Sequence, residues 1–81
     1  MSRKEALRII KEENLRNYNW FNNHPLEPDE VGIKESELGY TVFSTSERAG
    51  IMTEVSFETE SEALKEFIKR ARADKAYRSY L

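Results

Sequence analysis

The sequence predicts an α+β domain: an N-terminal helix, a three-stranded antiparallel meander and a C-terminal helix, with both helices on one face of the sheet. Three observations predict it. First, Ile51–Phe57 alternates. Ile51, Thr53, Val55 and Phe57 point one way and Met52, Glu54 and Ser56 the other, the period of a half-buried strand. Second, the period then changes: Ala63, Leu64, Phe67, Ile68 and Ala71 recur at three- and four-residue spacing, the stripe of an amphipathic helix. Third, short connections separate successive β-rich runs, the signature of an antiparallel meander.

Taken in order, Ser2-Arg3-Lys4-Glu5 has the pattern of a capping box and opens a first helix at about Arg3. Ala6, Leu7, Ile9 and Ile10 form its apolar face. The helix runs to about Asn14, and Leu15 closes the stripe. Asn17–Pro25 then sets Tyr18, Trp20 and Phe21 among four asparagines, residues that favour turns and local side-chain hydrogen bonds. It reads as a short extended piece, an extra edge strand at Tyr18–Phe21, stopped at His24-Pro25 because a residue before proline avoids helix. Trp20 and Phe21 either fold over the second face of the sheet or leave Phe43 and Met52 exposed there.

Glu30–Lys34 alternates with Val31 and Ile33 inward, and Ser36–Gly39 is a turn whose glycine suits a positive φ. Tyr40–Thr45, rich in β-formers, is the central strand. Ser46–Gly50 connects it to Ile51–Phe57. Thr59 and Glu62 make a second capping box, so the last helix starts at Glu60 and continues past Arg72. Acidic residues lead this helix and basic ones follow, matching its dipole at both ends. Tyr77, Tyr80 and Leu81 form either a fraying end or a contact patch.

Residues 1–81 make one domain. A chain of this length buries roughly 60–65% of its unfolded surface, enough for one modest core and little more. With 38% apolar and 35% charged residues, the expectation is a small soluble protein with a heavily charged surface. No apolar run is long enough to span a bilayer, and the N-terminus lacks the apolar stretch of a signal peptide, so a cytoplasmic location is expected. The absence of cysteine excludes disulfides, thiolate chemistry and cysteine-based zinc sites.

The net charge of −2 is unevenly spread. Residues 1–26 carry five basic and three acidic groups, residues 27–62 two and ten, and residues 63–81 six and two, so the net charges are +2, −8 and +4. The sheet is therefore acidic and the helices basic, which either keeps the surface solvated or meets a basic partner.

Few residues point to catalysis. His24 has no second histidine or cysteine with which to hold a metal, and no other histidine could activate a serine or threonine. Gly32, Gly39 and Gly50 lie too far apart to cradle a phosphate. No catalytic residue, metal ligand or cofactor is therefore assigned, and the expectation is a protein that is not an enzyme. Lys69–Arg78, interleaved with Tyr77, has the look of a nucleic-acid contact, but the chain is acidic overall and a dipole-matched helix end explains the same residues.

Three stretches, EALRIIKEENLRNYNWF, YTVFSTSERAG and ETESEALKEFIKRARADKAY, together resemble a family of small bacterial immunity proteins, family fifty-nine of the series catalogued beside polymorphic toxins. That family's central strand typically reads aromatic-x-Val-aromatic-x-Thr-Asp-Glu-Arg-Ala. Tyr40, Val42, Phe43, Thr45, Glu47, Arg48 and Ala49 match it, while Ser46 replaces the usual acid, which weakens any role the resemblance would assign to that side chain. The acidic run followed by Glu-Ala-Leu and Phe-Ile-Lys-Arg is matched through Glu58, Glu60, Glu62, Ala63, Leu64, Phe67, Ile68, Lys69 and Arg70. The resemblance implies stoichiometric binding of a cognate toxin and occlusion of its active site, with no catalysis. It makes Glu35, Glu37, Glu47 and Glu54, with Arg48 at the loop tip, the contact candidates, and Phe43 and Met52 the apolar anchors if that face is open. Two other readings stand beside it: a nucleic-acid-associated regulator using the basic helix, and a homodimer joined through Tyr77–Leu81 or a sheet edge.

Overall fold

In the computed structural model, which describes residues 1–80, the chain forms α1 (Arg3–Glu12), β1 (Tyr18–Trp20), β2 (Val31–Ser36), β3 (Gly39–Thr45), β4 (Ile51–Phe57) and α2 (Glu60–Arg78). The fold is α+β, as the periodicities predict. The strands lie in the order β1-β2-β3-β4. β2, β3 and β4 are the antiparallel meander, and the Tyr18–Trp20 segment is the extra edge strand, added parallel to β2. The sheet is thus mixed and four-stranded.

Both helix starts are capped as the sequence indicates. The Ser2 hydroxyl accepts from the Glu5 amide at 3.1 Å, and the Thr59 hydroxyl accepts from the Glu62 amide at 3.3 Å. α1 stops two residues before Asn14, because Asn14 adopts a left-handed conformation (φ 54°). The amides of Asn14 and Leu15 then turn back onto the carbonyls of Lys11 and Ile10, closing the helix with a Schellman motif and driving Leu15 into the core.

α1 and α2 lie on the same side of the sheet and run in the same sense. At their starts Arg3 Nε donates to Glu60 at 2.6 Å, and beyond the end of α1 Arg72 Nη2 reaches Glu13 at 2.6 Å. Between them and the sheet sits one core of Ala6, Ile10, Leu15, Val31, Ile33, Val42, Ala63, Leu64, Phe67, Ile68 and Ala71. Phe67 is its hub, with the Tyr18 ring edge-on at 6.1 Å and Trp20 tilted at 5.8 Å. Trp20 therefore packs on the helix side and does not cover the second face.

The second face is covered in another way. Its central row is Asn19, Gly32, Phe43 and Glu54, paired across the four strands. The Phe43 ring lies where a side chain on Gly32 would be: a Cβ there would stand 2.0 Å from Phe43 Cζ. The connection from His24 to Glu30 folds onto the same face. The Glu30 amide donates to the Thr45 hydroxyl at 2.8 Å, and that hydroxyl donates to the Glu27 carbonyl at 2.6 Å.

β4 departs from expectation. Its alternation is present, but Ile51–Ser56 are all exposed. β4 is the outermost strand, and α2 packs mainly over β2 and β3, so even the helix-facing Val55 is 41% exposed. A bulge adds to this. Ser44 pairs with Thr53 and Thr45 with Ile51, leaving Met52 as the extra residue and turning Ile51 toward the second face, beside Thr45.

Candidate functional site

The edge strand β4 and the turn before it form the largest concentration of accessible apolar surface on the sheet. Ile51 is 43% exposed and Met52 65%, while Val55 projects from the helix side of the same strand. The outer edge of β4 pairs with no other strand of the sheet, so its peptide groups are open to a partner strand. The Ser46–Gly50 turn carries Glu47 and Arg48 at its exposed tip. Its shape is fixed locally. The Ser46 amide donates to the Gly50 carbonyl at 2.8 Å, the Arg48 amide to the Ser46 hydroxyl at 3.3 Å, and Ala49 takes the left-handed conformation (φ 62°).

The contact candidates do not form one patch. Glu47, Arg48 and Met52 cluster at the β3–β4 turn, and Glu54 follows on the second face, where it pairs with Lys34 at 3.1 Å. Glu37 sits in the β2–β3 turn at the other end of β3, about 20 Å away by strand rise. Glu35 points to the helix side, with its carboxylate 3.8 Å from Arg3. Phe43 requires a correction. It is fully buried, lying over Gly32 with the Lys34 ammonium 5.5 Å from the ring centroid, and offers no surface to a partner. It holds the sheet together instead. The exposure of Ile51 and Val55 was missed by strict alternation. The adjacent apolar pair Ile51-Met52, which breaks two-residue patterning, was the available signal of a bulged edge.

The basic end of α2 is largely occupied within the molecule. Arg70 pairs with Glu66 at 2.7 Å, Arg72 with Glu13, and Arg78 with Asp74 at 2.9 Å while also donating to the Asp29 carbonyl. Lys75 bonds the Glu13 carbonyl. The hydrogen bond from Arg72 holds the Glu13 carboxyl below its ordinary 4.5. A cleft of about 330 Å³ lies between this end of α2 and the sheet, lined by Asp29, Glu30, Val31, Ser44, Asp74, Tyr77 and Arg78. Tyr77 and Tyr80 are exposed, at 65% and 88%. Leu81, the last residue of that expected contact patch, lies outside the described residues.

A second polar cluster, not anticipated from the sequence, lies under the 24–30 connection. Glu30 is 2% exposed. Its carboxylate accepts from the Asn19 amide nitrogen at 3.2 Å and the Glu27 backbone amide at 3.1 Å, and lies 3.6 Å from His24 Nε2. The hydrogen bond to the Pro25 carbonyl, then that to the Tyr18 carbonyl, raises the pKa of His24 above its ordinary 6.5, and the Glu30 and Glu27 charges add to the shift.

Among the described residues no helix is long and apolar enough to cross a membrane. No family model, curated protein or solved structure matches the chain.

Proposed function

We propose that the chain is an immunity-type binding protein, which neutralises a cognate bacterial toxin by stoichiometric occlusion and meets it through β4 and the Ser46–Gly50 turn. The observation that carries this reading is the exposure of six consecutive residues of the edge strand, Ile51–Ser56, with accessible Ile51, Met52 and Val55 beside Glu47, Arg48 and Glu54. A long, apolar, unpaired edge is a liability that proteins usually blunt, and partner binding is a reason to keep one. In this role Met52 and Ile51 seat in a partner pocket, the backbone edge accepts hydrogen bonds, and the flanking carboxylates select a basic surface and speed association. The residues that resemble the immunity family, Glu47, Arg48 and Ala49, lie in the same turn. The cations of α2 that would serve a nucleic-acid regulator are mostly held by carboxylates and carbonyls of the chain itself.

The test begins with capture of a partner by tagged protein, followed by co-expression of the chain with the captured toxin-like domain. Relief of toxicity at one-to-one stoichiometry is expected. Met52→Asp combined with Glu47→Lys and Glu54→Lys should abolish that relief with little change in melting temperature. Full protection by this variant would overturn the β4 interface, and failure of the wild-type chain to protect would overturn the immunity reading.

A further inference from the structure

We propose that His24 is a proton-operated latch: as an imidazolium it fastens the 24–30 connection to β1 and to the buried carboxylate of Glu30, and loss of the proton loosens that connection from the second face of the sheet. The hydrogen-bond inventory carries the argument. His24 Nδ1 faces the Pro25 carbonyl at 2.7 Å and Nε2 faces the Tyr18 carbonyl at 3.0 Å. A carbonyl oxygen only accepts, and a neutral imidazole has one N–H to donate. Both contacts are satisfied together only when both nitrogens carry protons. The resulting cation lies 3.6 Å from Glu30, a carboxylate that is 2% exposed and whose burial is costly without a compensating charge.

The groups facing the ring are consistent with that charge. From the connection itself come the carboxylates of Glu27 and Glu30. From β1 come the Tyr18 carbonyl and the neutral Asn19 amide, whose nitrogen also bonds the His24 carbonyl at 3.0 Å. From β3 comes the neutral Thr45 hydroxyl, which bonds the Glu30 amide. From α2, Arg78 reaches the connection at the Asp29 carbonyl and is itself paired with Asp74. His24, Glu27 and Glu30 also bring one donor atom each within 4.8 Å of one another, a spacing that would suit a cation. The ring decides against it, because neither nitrogen has a lone pair free of a carbonyl contact.

The latch spans three elements. His24 ties the connection to β1, Asn19 ties β1 to Glu30, and Thr45 ties Glu30 and Glu27 to β3. When His24 becomes neutral, one carbonyl loses its donor and the cation beside the Glu30 side chain is gone. The segment that answers is the connection between Asn22 and Glu30, whose backbone-to-backbone hydrogen bonds lie only at its ends, from the Asn23 amide to the Trp20 carbonyl, from the Asp29 amide to the Ser46 carbonyl and from the Thr45 amide to the Glu30 carbonyl.

The experiment is an NMR titration of the full chain through neutral pH, following the His24 ring, the Asn19 side-chain amide and the Glu30 and Thr45 backbone amides. The His24 midpoint is expected above 6.5. The Asn19, Glu30 and Thr45 signals should shift with that same midpoint. Hydrogen-exchange protection of the Asn22–Glu30 amides, relative to α2, should fall as His24 deprotonates. In Glu30→Gln the His24 midpoint should move down, and in His24→Gln the protection of the connection should no longer depend on pH across this range. A midpoint at or below 6.5, or protection that ignores the state of His24, overturns the proposal. So does displacement of the ring signals by added zinc chloride below the His24 midpoint, which would show a nitrogen lone pair where the latch requires a proton. Should Glu30→Gln not fold, the wild-type titration and exchange decide alone.

Discussion

Gly32 is glycine because Phe43 occupies the space its side chain would need. Its φ is unremarkable, so the demand is steric, with a Cβ at 2.0 Å from Phe43 Cζ and 2.5 Å from both adjoining ring carbons. Gly32→Ala should therefore cost about 1–3 kcal/mol of stability, the range of overpacking in a filled interior. In a Phe43→Leu background the same substitution should cost less. A urea-denaturation cycle of the four variants checks it, and costs that add to within about 0.3–0.5 kcal/mol would mean the ring is not the obstacle. This pairing was not legible in the sequence. Gly32 reads there as a gap between the inward-facing Val31 and Ile33, and Phe43 as a surface anchor, because the register that sets them opposite each other is a property of two strands. The asparagines were more readable. Asn17 and Asn22 take left-handed conformations, and the Asn23 side chain caps the Trp20 amide at 3.2 Å, which is the local chemistry their residue type suggests, whereas Asn14, read as the end of the helix, turns left-handed and stops it early.

At the scale of elements, periodicity gave strands and helices but not depth of burial. α2 and β4 are adjacent in the chain and equally clear in pattern, yet α2 buries Ala63, Leu64, Phe67, Ile68 and Ala71 while β4 buries nothing fully. The difference is place in the sheet. A helix stripe must find a surface to cover it, but a strand at the end of a sheet has neighbours on one side only. Strand order is not encoded in two-residue alternation, so the pattern put Val55 on one face of a half-buried strand without saying how deeply that face is covered. The same reasoning explains why the direction of β1 was not legible, since three residues carry no mark of their partner's polarity. The candidate site was readable in part: the exposed Glu47-Arg48 turn and Met52 emerged together, whereas Glu35 and Glu37 were separated by the fold. Two substitutions test this contrast. Phe67→Ala should destabilise by about 3–5 kcal/mol, because a fully buried ring touched by Tyr18 and Trp20 leaves a cavity. Val55→Ala should cost about 1 kcal/mol or less, as befits a side chain already 41% exposed. Equal losses in thermal or chemical unfolding would place β4 in the core after all.

For the whole molecule, charge is the property that joins the parts. The acidic sheet and basic helices are neighbours in space, and Arg3 reaches Glu35 of the sheet at 3.8 Å, while other ion pairs distant in sequence join helix to helix (Arg3 with Glu60, Arg72 with Glu13) or strand to strand (Lys34 with Glu54). Exposed pairs of this kind each contribute little, and two groups carry a pH dependence whose direction the fold sets. Glu13 has its pKa lowered from 4.5 by the hydrogen bond from Arg72, so its contribution is fully present above 4.5 and is lost as pH falls through the lowered value. His24 has its pKa raised from 6.5 by its two carbonyl contacts, so its contribution is fully present below 6.5 and is lost as pH rises through the raised value. Both contributions are complete only between these limits, which places the expected plateau of stability on the acid side of neutrality, between pH 4.5 and 6.5. Melting temperatures measured across that range in the wild-type chain, in Glu13→Gln and in His24→Gln separate the two limbs. Glu13→Gln should flatten the acid limb and leave the fall toward alkaline pH intact, and His24→Gln should do the reverse. A wild-type profile that keeps rising through pH 7 would mean that His24 is not held as a cation by the fold. An acid limb unchanged in Glu13→Gln would mean that the Arg72 bond linking the end of α1 to α2 is not maintained in solution.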